Sequence, residues 1–290
     1  MKIVTIILYS TPNTAGAPES LEGGAMEQLC RKINMPDEVT GTLLTIHETM
    51  EEYPCLQLIM QEEHWCEGLE QLKEALKDDP GGMKRLCCML RCALKAKADY
   101  DRLGISEEIY VATMGAFSRF VREHRESYGC YGFDRGSWTP RQVSCKLFRI
   151  GQLEYELTTL DGDAAVSLHI PTDVDLRPEV LRPSMKEGLS ELYRLFPEYR
   201  GKRVYCHSWL LSPLLKEFLP ENANILRFQE LFDITADTVP GKDVLLWVFR
   251  NPKLPREAYP EITSLQRKLK RFFQNDGVFL EGRGFLRLPL

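Results

Sequence analysis

No stretch of this 290-residue sequence stays apolar for the roughly 20 residues needed to cross a bilayer. A membrane-spanning helix is therefore excluded. The nine cysteines include no C-x-x-C pair. An odd, irregular set of this kind fits reduced cytosolic thiols, a cytoplasmic location and no metal site, rather than a disulfide framework or paired zinc ligands. There is no P-loop and no G-x-G-x-x-G, so neither common nucleotide-phosphate fingerprint is present. The G-x-S-x-G elbow of α/β-hydrolases is missing too. Positive charge is in deficit, with a formal net charge of −5, which excludes a general nucleic-acid surface.

What is present is ample core material, with 43% hydrophobic and 10% aromatic residues, enough for one large domain or two ordinary ones. From Met26 to about Arg135 the apolar spacing is helical. Helices are predicted over 26–34, 39–50, 57–77 and 83–103, with Pro80-Gly81-Gly82 and Gly104 as stops. Ser106 caps a further long helix that carries Glu107 and Glu108 in its first turn. A small helix follows, with Thr139 as cap, Pro140 at its first position and Gly151 beyond its end. The period then changes. Residues 152–160 alternate, Asp161-Gly162 is a hairpin signal, and 164–170 form the returning strand. Strands are predicted at 203–207, 224–232 and 278–286, and helices at 177–196, 213–218 and 261–274. Val244 to Phe249 is apolar and buried. The expectation is an α+β protein, with a helical domain over 26–135 and a mixed-sheet domain over 136–290. The run QRKLKR, 266–271, reads as a solvated helix face.

The stretch Cys206-His207-Ser208 looks like a nucleophile with its base. On a strand, however, neighbours point to opposite faces, so Cys206 and His207 diverge, as do His207 and Ser208. The stretch reads better as a polar strand end lining a cleft. On the predicted strand 224–232, Arg227 and Gln229 share the face opposite Leu226 and Phe228. Ser208, Trp209, Arg227 and Gln229 are thus the expected cleft lining, with Arg227 either a ligand for a carboxylate or phosphate or a structural ion-pair partner. The hairpin offers chemistry. A two-residue turn places Glu154 opposite His169 and Glu156 opposite Ser167, and a four-residue turn places Glu156 opposite His169. In both cases a glutamate and His169 share one face, whereas a three-residue turn would separate them. His169 with Glu154 or Glu156 can act as a general base, or can form a solvated cross-strand ion pair worth under about 1 kcal/mol.

The segments HIPTDVDLRPEVLRPSM (169–185), RVYCHSWLLSPLLKEFLPENANILRFQ (203–229) and GQLEYEL (151–157) resemble a family of bacterial acyltransferase-domain proteins. These join a helical N-acyltransferase N-terminal domain to a GNAT-like C-terminal domain. The resemblance runs over nearly the whole chain from Met26. It implies transfer of an acyl group from acyl-coenzyme A, or a related thioester, to a small amine acceptor. It also implies that segment 171–178 is the coenzyme A loop, with Arg177 and Arg182 facing the phosphates. That segment contains no glycine and carries Asp173 and Asp175, a departure from the family's Gln/Arg-x-x-Gly-x-Gly/Ala loop. Two readings remain open: an acyltransferase, or a non-enzymatic ligand-binding or interaction protein on the same scaffold.

The first 25 residues stand apart. Ile3 to Tyr9 is a short apolar run, and Pro12 to Ala25 is rich in small and turn-forming residues. Glu22-Gly-Gly just before Met26 matches a purine-rich ribosome-binding signal, so residues 1–25 are expected to be an upstream leader with Met26 the native start. Chains with and without this segment should melt at the same temperature. A fall of many degrees on its removal would show that it packs with the rest.

Overall fold

A computed structural model describes residues 21–235, 238–251 and 253–290, with only the backbone at 21–23. Most of the expected leader lies outside the described residues.

The helical half contains α1 (Leu21–Lys32), α2 (Asp37–Thr49), α3 (Cys55–Ile59), α4 (Trp65–Leu76), α5 (Met83–Arg102) and α6 (Glu107–Tyr128). Helix α1 runs back beyond Met26, whose side chain is fully buried. The single helix predicted over 57–77 is interrupted by a short 3₁₀ turn at Glu62–His64. Ser106 caps α6 as expected, its hydroxyl accepting from the Ile109 N–H at 3.3 Å, and the first-turn glutamates follow. Helix α5 is the most enclosed. Its Arg91 is buried and bonds the carbonyls of His47, Met50 and Glu51, so it fastens the C-terminal end of α2.

The small helix α7 (Pro140–Val143) is far shorter than the sequence implies. Leu147 to Ile150 forms strand β1 instead, paired antiparallel with β2 (Leu153–Leu160) through the turn Gly151-Gln152. Leu147 and Phe148 are fully buried, and the sheet edge gives them a partner that a helix could not. Then come β3 (Asp163–His169), α8 (Pro178–Leu195), β4 (Arg203–Ser208), α9 (Leu215–Phe218), α10 (Asn224–Gln229), β5 (Phe232–Ile234), β6 (Val239–Pro240), α11 (Asp243–Phe249), α12 (Ser264–Gln274) and β7 (Leu280–Leu286). The strand expected over 224–232 is therefore a helix followed by a short strand. Burial of Phe228 and Gln229, partial burial of Ile225 and exposure of Asn224 and Arg227 follow a helical repeat, not an alternation.

The sheet order is β1-β2-β3-β4-β7-β5, with β6 also on β7. Among the described residues only β3 and β4 pair in parallel, and α8 crosses between them. The main core lies between the sheet and the helices on both sides. A second, smaller core gathers Leu215, Val244, Phe249, Tyr259, Leu269 and Phe279 around α11 and α12. The lysines of α12 are tied down: Lys268 bonds the Phe218 carbonyl and Lys270 bonds Tyr259 and Glu261. All nine cysteines are free thiols. Among the described residues no helix is long and apolar enough to cross a membrane.

Gly282 and Gly284 lie inside β7. A Cβ at Gly282 would fall 2.2 Å from the carbonyl oxygen of Leu211, so only glycine lets the turn after β4 close onto β7. Gly41 is different: it sits within α2, with nothing within 4 Å of the space a Cβ would fill. Gly282→Ala is expected to cost about 1–3 kcal/mol by overpacking. Gly41→Ala should add about 0.5–1 kcal/mol. Denaturant midpoints of the two variants check both signs.

Candidate active site

The alternation of β2 turns Leu153, Tyr155 and Leu157 towards α8, where the Tyr155 ring lies against Gly188. Glu154 and Glu156 consequently face the helical half. The hairpin closes as a two-residue turn, with Leu160 paired to Asp163, which puts Glu154 opposite His169 and Glu156 opposite Ser167. His169 leans diagonally: its Nε2 lies 2.7 Å from Glu156 Oε2, while Glu154 takes a 2.6 Å bond from Arg119 of α6.

The His169–Glu156 pair is not a solvated surface bridge. The two side chains are 22% and 13% exposed. Arg141 of α7 donates from Nε to Glu156 Oε1 at 2.9 Å and lies over the Trp138 ring, 4.3 Å from its centroid. Trp138 in turn meets the imidazole edge-to-face, with centroids 4.9 Å apart. Burial would raise the Glu156 carboxyl, but His169 and Arg141 outweigh it and hold the group below the usual carboxylate range. With Glu156 ionised, the shared proton belongs on His169 Nε2, which leaves Nδ1 as the basic nitrogen.

His169 lines a cavity of about 550 Å³ between the helical half and the carboxyl ends of β3 and β4. The parallel pairing of these strands ends at Ser167 and Tyr205. Both continue beyond that rung, and the gap between them forms part of the cavity wall, lined by Leu168, His169, Cys206 and His207. Leu168 and Cys206 lie on the α8 face by alternation, and His169 and His207 on the helical-half face. Apolar groups including Val174, Leu176, Leu210 and Ile225 line the cavity, as do charged ones from α6, from α11 and from the 134–135 loop.

Ser208 and Trp209, at the end of β4, line this cavity. The Ser208 hydroxyl accepts from the Leu210 N–H at 3.1 Å and caps the short turn Trp209–Leu211. Arg227 and Gln229 are not brought there. Arg227 is exposed on α10, and Ile225 from the same helix faces the cavity instead. Gln229 is buried, its amide donating to the carbonyls of Leu210 and Ser212 at 2.9 Å each, so it holds the turn after β4 from behind. Arg177 precedes α8 outside the cavity lining and grips Asp175, while Asp173 is held by Arg149 at 2.8 Å. Arginine pairing holds both carboxyls below their ordinary range, although Asp173 is also partly buried, which opposes it.

Cys206 is no nucleophile. Its thiol is buried and burial pushes it up to about 12, so the thiolate is not accessible near neutrality. Sequence reasoning missed Arg119, Glu123, Trp138 and Arg141. Arg119 and Glu123 are one turn apart on α6 and both reach the cavity, Glu123 bonded by the Thr172 hydroxyl at 2.5 Å. Burial raises the Glu123 carboxyl. Two charged residues within the apolar stripe of a long helix were the available signal. Among the described residues no three His, Cys, Asp or Glu side chains stand together as a metal site.

Comparison with known proteins bears on this geometry. A solved acyltransferase in complex with decanoyl-CoA and teicoplanin is 23% identical, with a TM-score of 0.74 over 91% of this chain and 88% of its own. A mutant acyltransferase in complex with octanoyl-CoA is 22% identical, with a TM-score of 0.75 over 96% and 91%. At these identities the likeness establishes the fold. A comparison with curated proteins gives no match. Family models match residues 25–145 as an N-acyltransferase N-terminal domain and residues 147–286 as a GNAT-like C-terminal domain. The chain thus belongs to the proteins that join an N-acyltransferase N-terminal domain to a GNAT-like C-terminal domain.

Proposed function

We propose that the protein transfers an acyl group from an acyl-coenzyme A thioester to an amine, with His169 as general base. The observation that carries this reading is the His169 ring fixed by Glu156 where β3 and β4 part. Backbone groups directed into that gap have no partner on the opposite strand, and an extended pantetheine arm, with its own amides, suits them as an added strand would. The apolar lining by Val174, Leu176 and Leu210 suits an aliphatic acyl chain. The donor's phosphates fall to the start of α8, where Arg182 supplies positive charge beside the Arg177–Asp175 pair. Ser208 and Trp209 line the donor side at the end of β4.

The attacking amine must lose a proton to form the amide. His169 Nδ1 takes it, and Glu156 stabilises the imidazolium that results. Glu154 is engaged by Arg119 and helps to shape the floor of the cavity. The solved neighbours hold decanoyl-CoA, octanoyl-CoA and teicoplanin. By analogy the acceptor here is an amine-bearing molecule, and teicoplanin is the first to try. The glycine-free, acidic 171–178 segment favours a non-catalytic ligand binder, but Arg149 and Arg177 already neutralise its two aspartates.

Octanoyl-CoA is expected to raise the melting temperature of the protein. Thiol release in the presence of teicoplanin should then report turnover. His169→Ala should lower kcat at least about a hundredfold while leaving the fold intact. Cys206→Ala should keep the activity within about twofold of wild type, because a buried neutral thiol takes no part. An unchanged rate in His169→Ala would remove His169 from the chemistry. A melting shift without any thiol release would make the protein a binder.

A further inference from the structure

We infer that His207 is the acid that protonates the departing sulfur, an inference that rests on the acyl-transfer reading above. Ser167 and Tyr205 form the last rung of the parallel β3–β4 pair. His169 and His207 each lie two residues beyond it, on the same face of the sheet, and both line the cavity. They therefore flank the gap, one histidine on each strand, with the thioester between them.

The two imidazoles differ in their surroundings, and the difference assigns their roles. His169 is largely enclosed and its Nε2 is committed to Glu156. His207 is exposed and makes no hydrogen bond or ion pair to the described residues, so its ring is free to meet a ligand atom. The charged groups near it are Arg283, its register partner on β7, together with Glu281 of β7 and Asp243 of α11. Glu281 is buried, accepts the Asp243 N–H at 3.0 Å and interacts electrostatically with His207.

Neither other proton donor at the end of β4 is suited to the role. Cys206 is buried on the α8 face, and Ser208, also on that face, has its hydroxyl engaged as the acceptor for Leu210 N–H. The Thr172 hydroxyl, across the cavity, donates to Glu123.

The step balances as follows. The amine nitrogen adds to the thioester carbonyl carbon, forming the C–N bond, and gives one proton to His169. The C–S bond breaks and its electron pair goes to sulfur. His207 passes a proton from its ring to that sulfur, so coenzyme A leaves as the free thiol. The two histidines return to their starting states by exchanging one proton each with solvent. An alkyl thiolate is a poor enough leaving group for this proton to matter, whereas an aryl thiolate of low basicity can leave without it.

The test uses the full chain, wild type and His207→Gln, with octanoyl-CoA and with the octanoyl thioester of 4-nitrothiophenol as donors. Teicoplanin is the acceptor, and thiol release is followed so that transfer to amine and to water both count. His207→Gln should lower kcat for octanoyl-CoA at least about tenfold and leave the aryl thioester within about threefold of wild type. An octanoyl-CoA melting shift equal to that of wild type should show that fold and donor binding are intact. Equal losses on both donors, or no loss on octanoyl-CoA, overturns the assignment of His207. If wild type binds octanoyl-CoA but releases no thiol from either donor, the transfer reading itself falls, and this inference with it.

Discussion

Two arginines from the helical half meet two glutamates that β2 turns towards them, and the site depends on that seam. Arg119 of α6 holds Glu154, and Arg141 of α7 holds Glu156. Carboxylates on the inner face of a sheet are costly to bury unless paired. Here each pair spans the boundary between the two halves, so it also fixes where the helices sit on the sheet. His169 and the Arg141 guanidinium together hold Glu156 in its ionised form, and Glu156 in turn sets the orientation of the His169 ring. Arg141 further supports the imidazole through Trp138, which lies between the two.

Much of this arrangement was legible in the chain wherever the signal was local. Asp161-Gly162 marks the hairpin, and the two-residue turn, one of the lengths it allowed, gives the observed register of Glu154, Glu156 and His169. The Ser106 cap and the stop at Gly104 depend on a few neighbouring residues, whereas Gly151, expected to end a helix, turns β1 into β2. Helix α8 and strand β4 came out within one or two residues of their ends. The change from helical to alternating period also located the passage from helices to sheet.

Where tertiary contacts decide, the sequence was ambiguous. Residues 224–229 satisfy a strand alternation and a helical repeat equally well over so short a span, and packing of Phe228 and Gln229 beneath the β4 turn selects the helix. The error displaced Arg227 and Gln229 from the cleft, because a helix sends them in directions that a strand would not. Strand β1 was hidden by the strong Thr139-Pro140 start signal, which opens only a single turn. Arg119, Glu123 and Trp138 could not be joined to His169 by any spacing rule. They come from α6 and the loop before α7, and meet only when the hairpin folds against them.

The second core has a consequence of its own. Helix α11, which closes one side of the cavity through Leu246 and Trp247, is anchored by Val244 and Phe249 in a small cluster separate from the main one. Trp209 and Ile225 touch both clusters and stand where they join. Local unfolding follows such separately packed units, so a wall with a modest core of its own is held less firmly than the sheet. The rings stacked around Phe249 and Tyr259 therefore set how firmly this side of the cavity is closed, independently of the strands that carry His169.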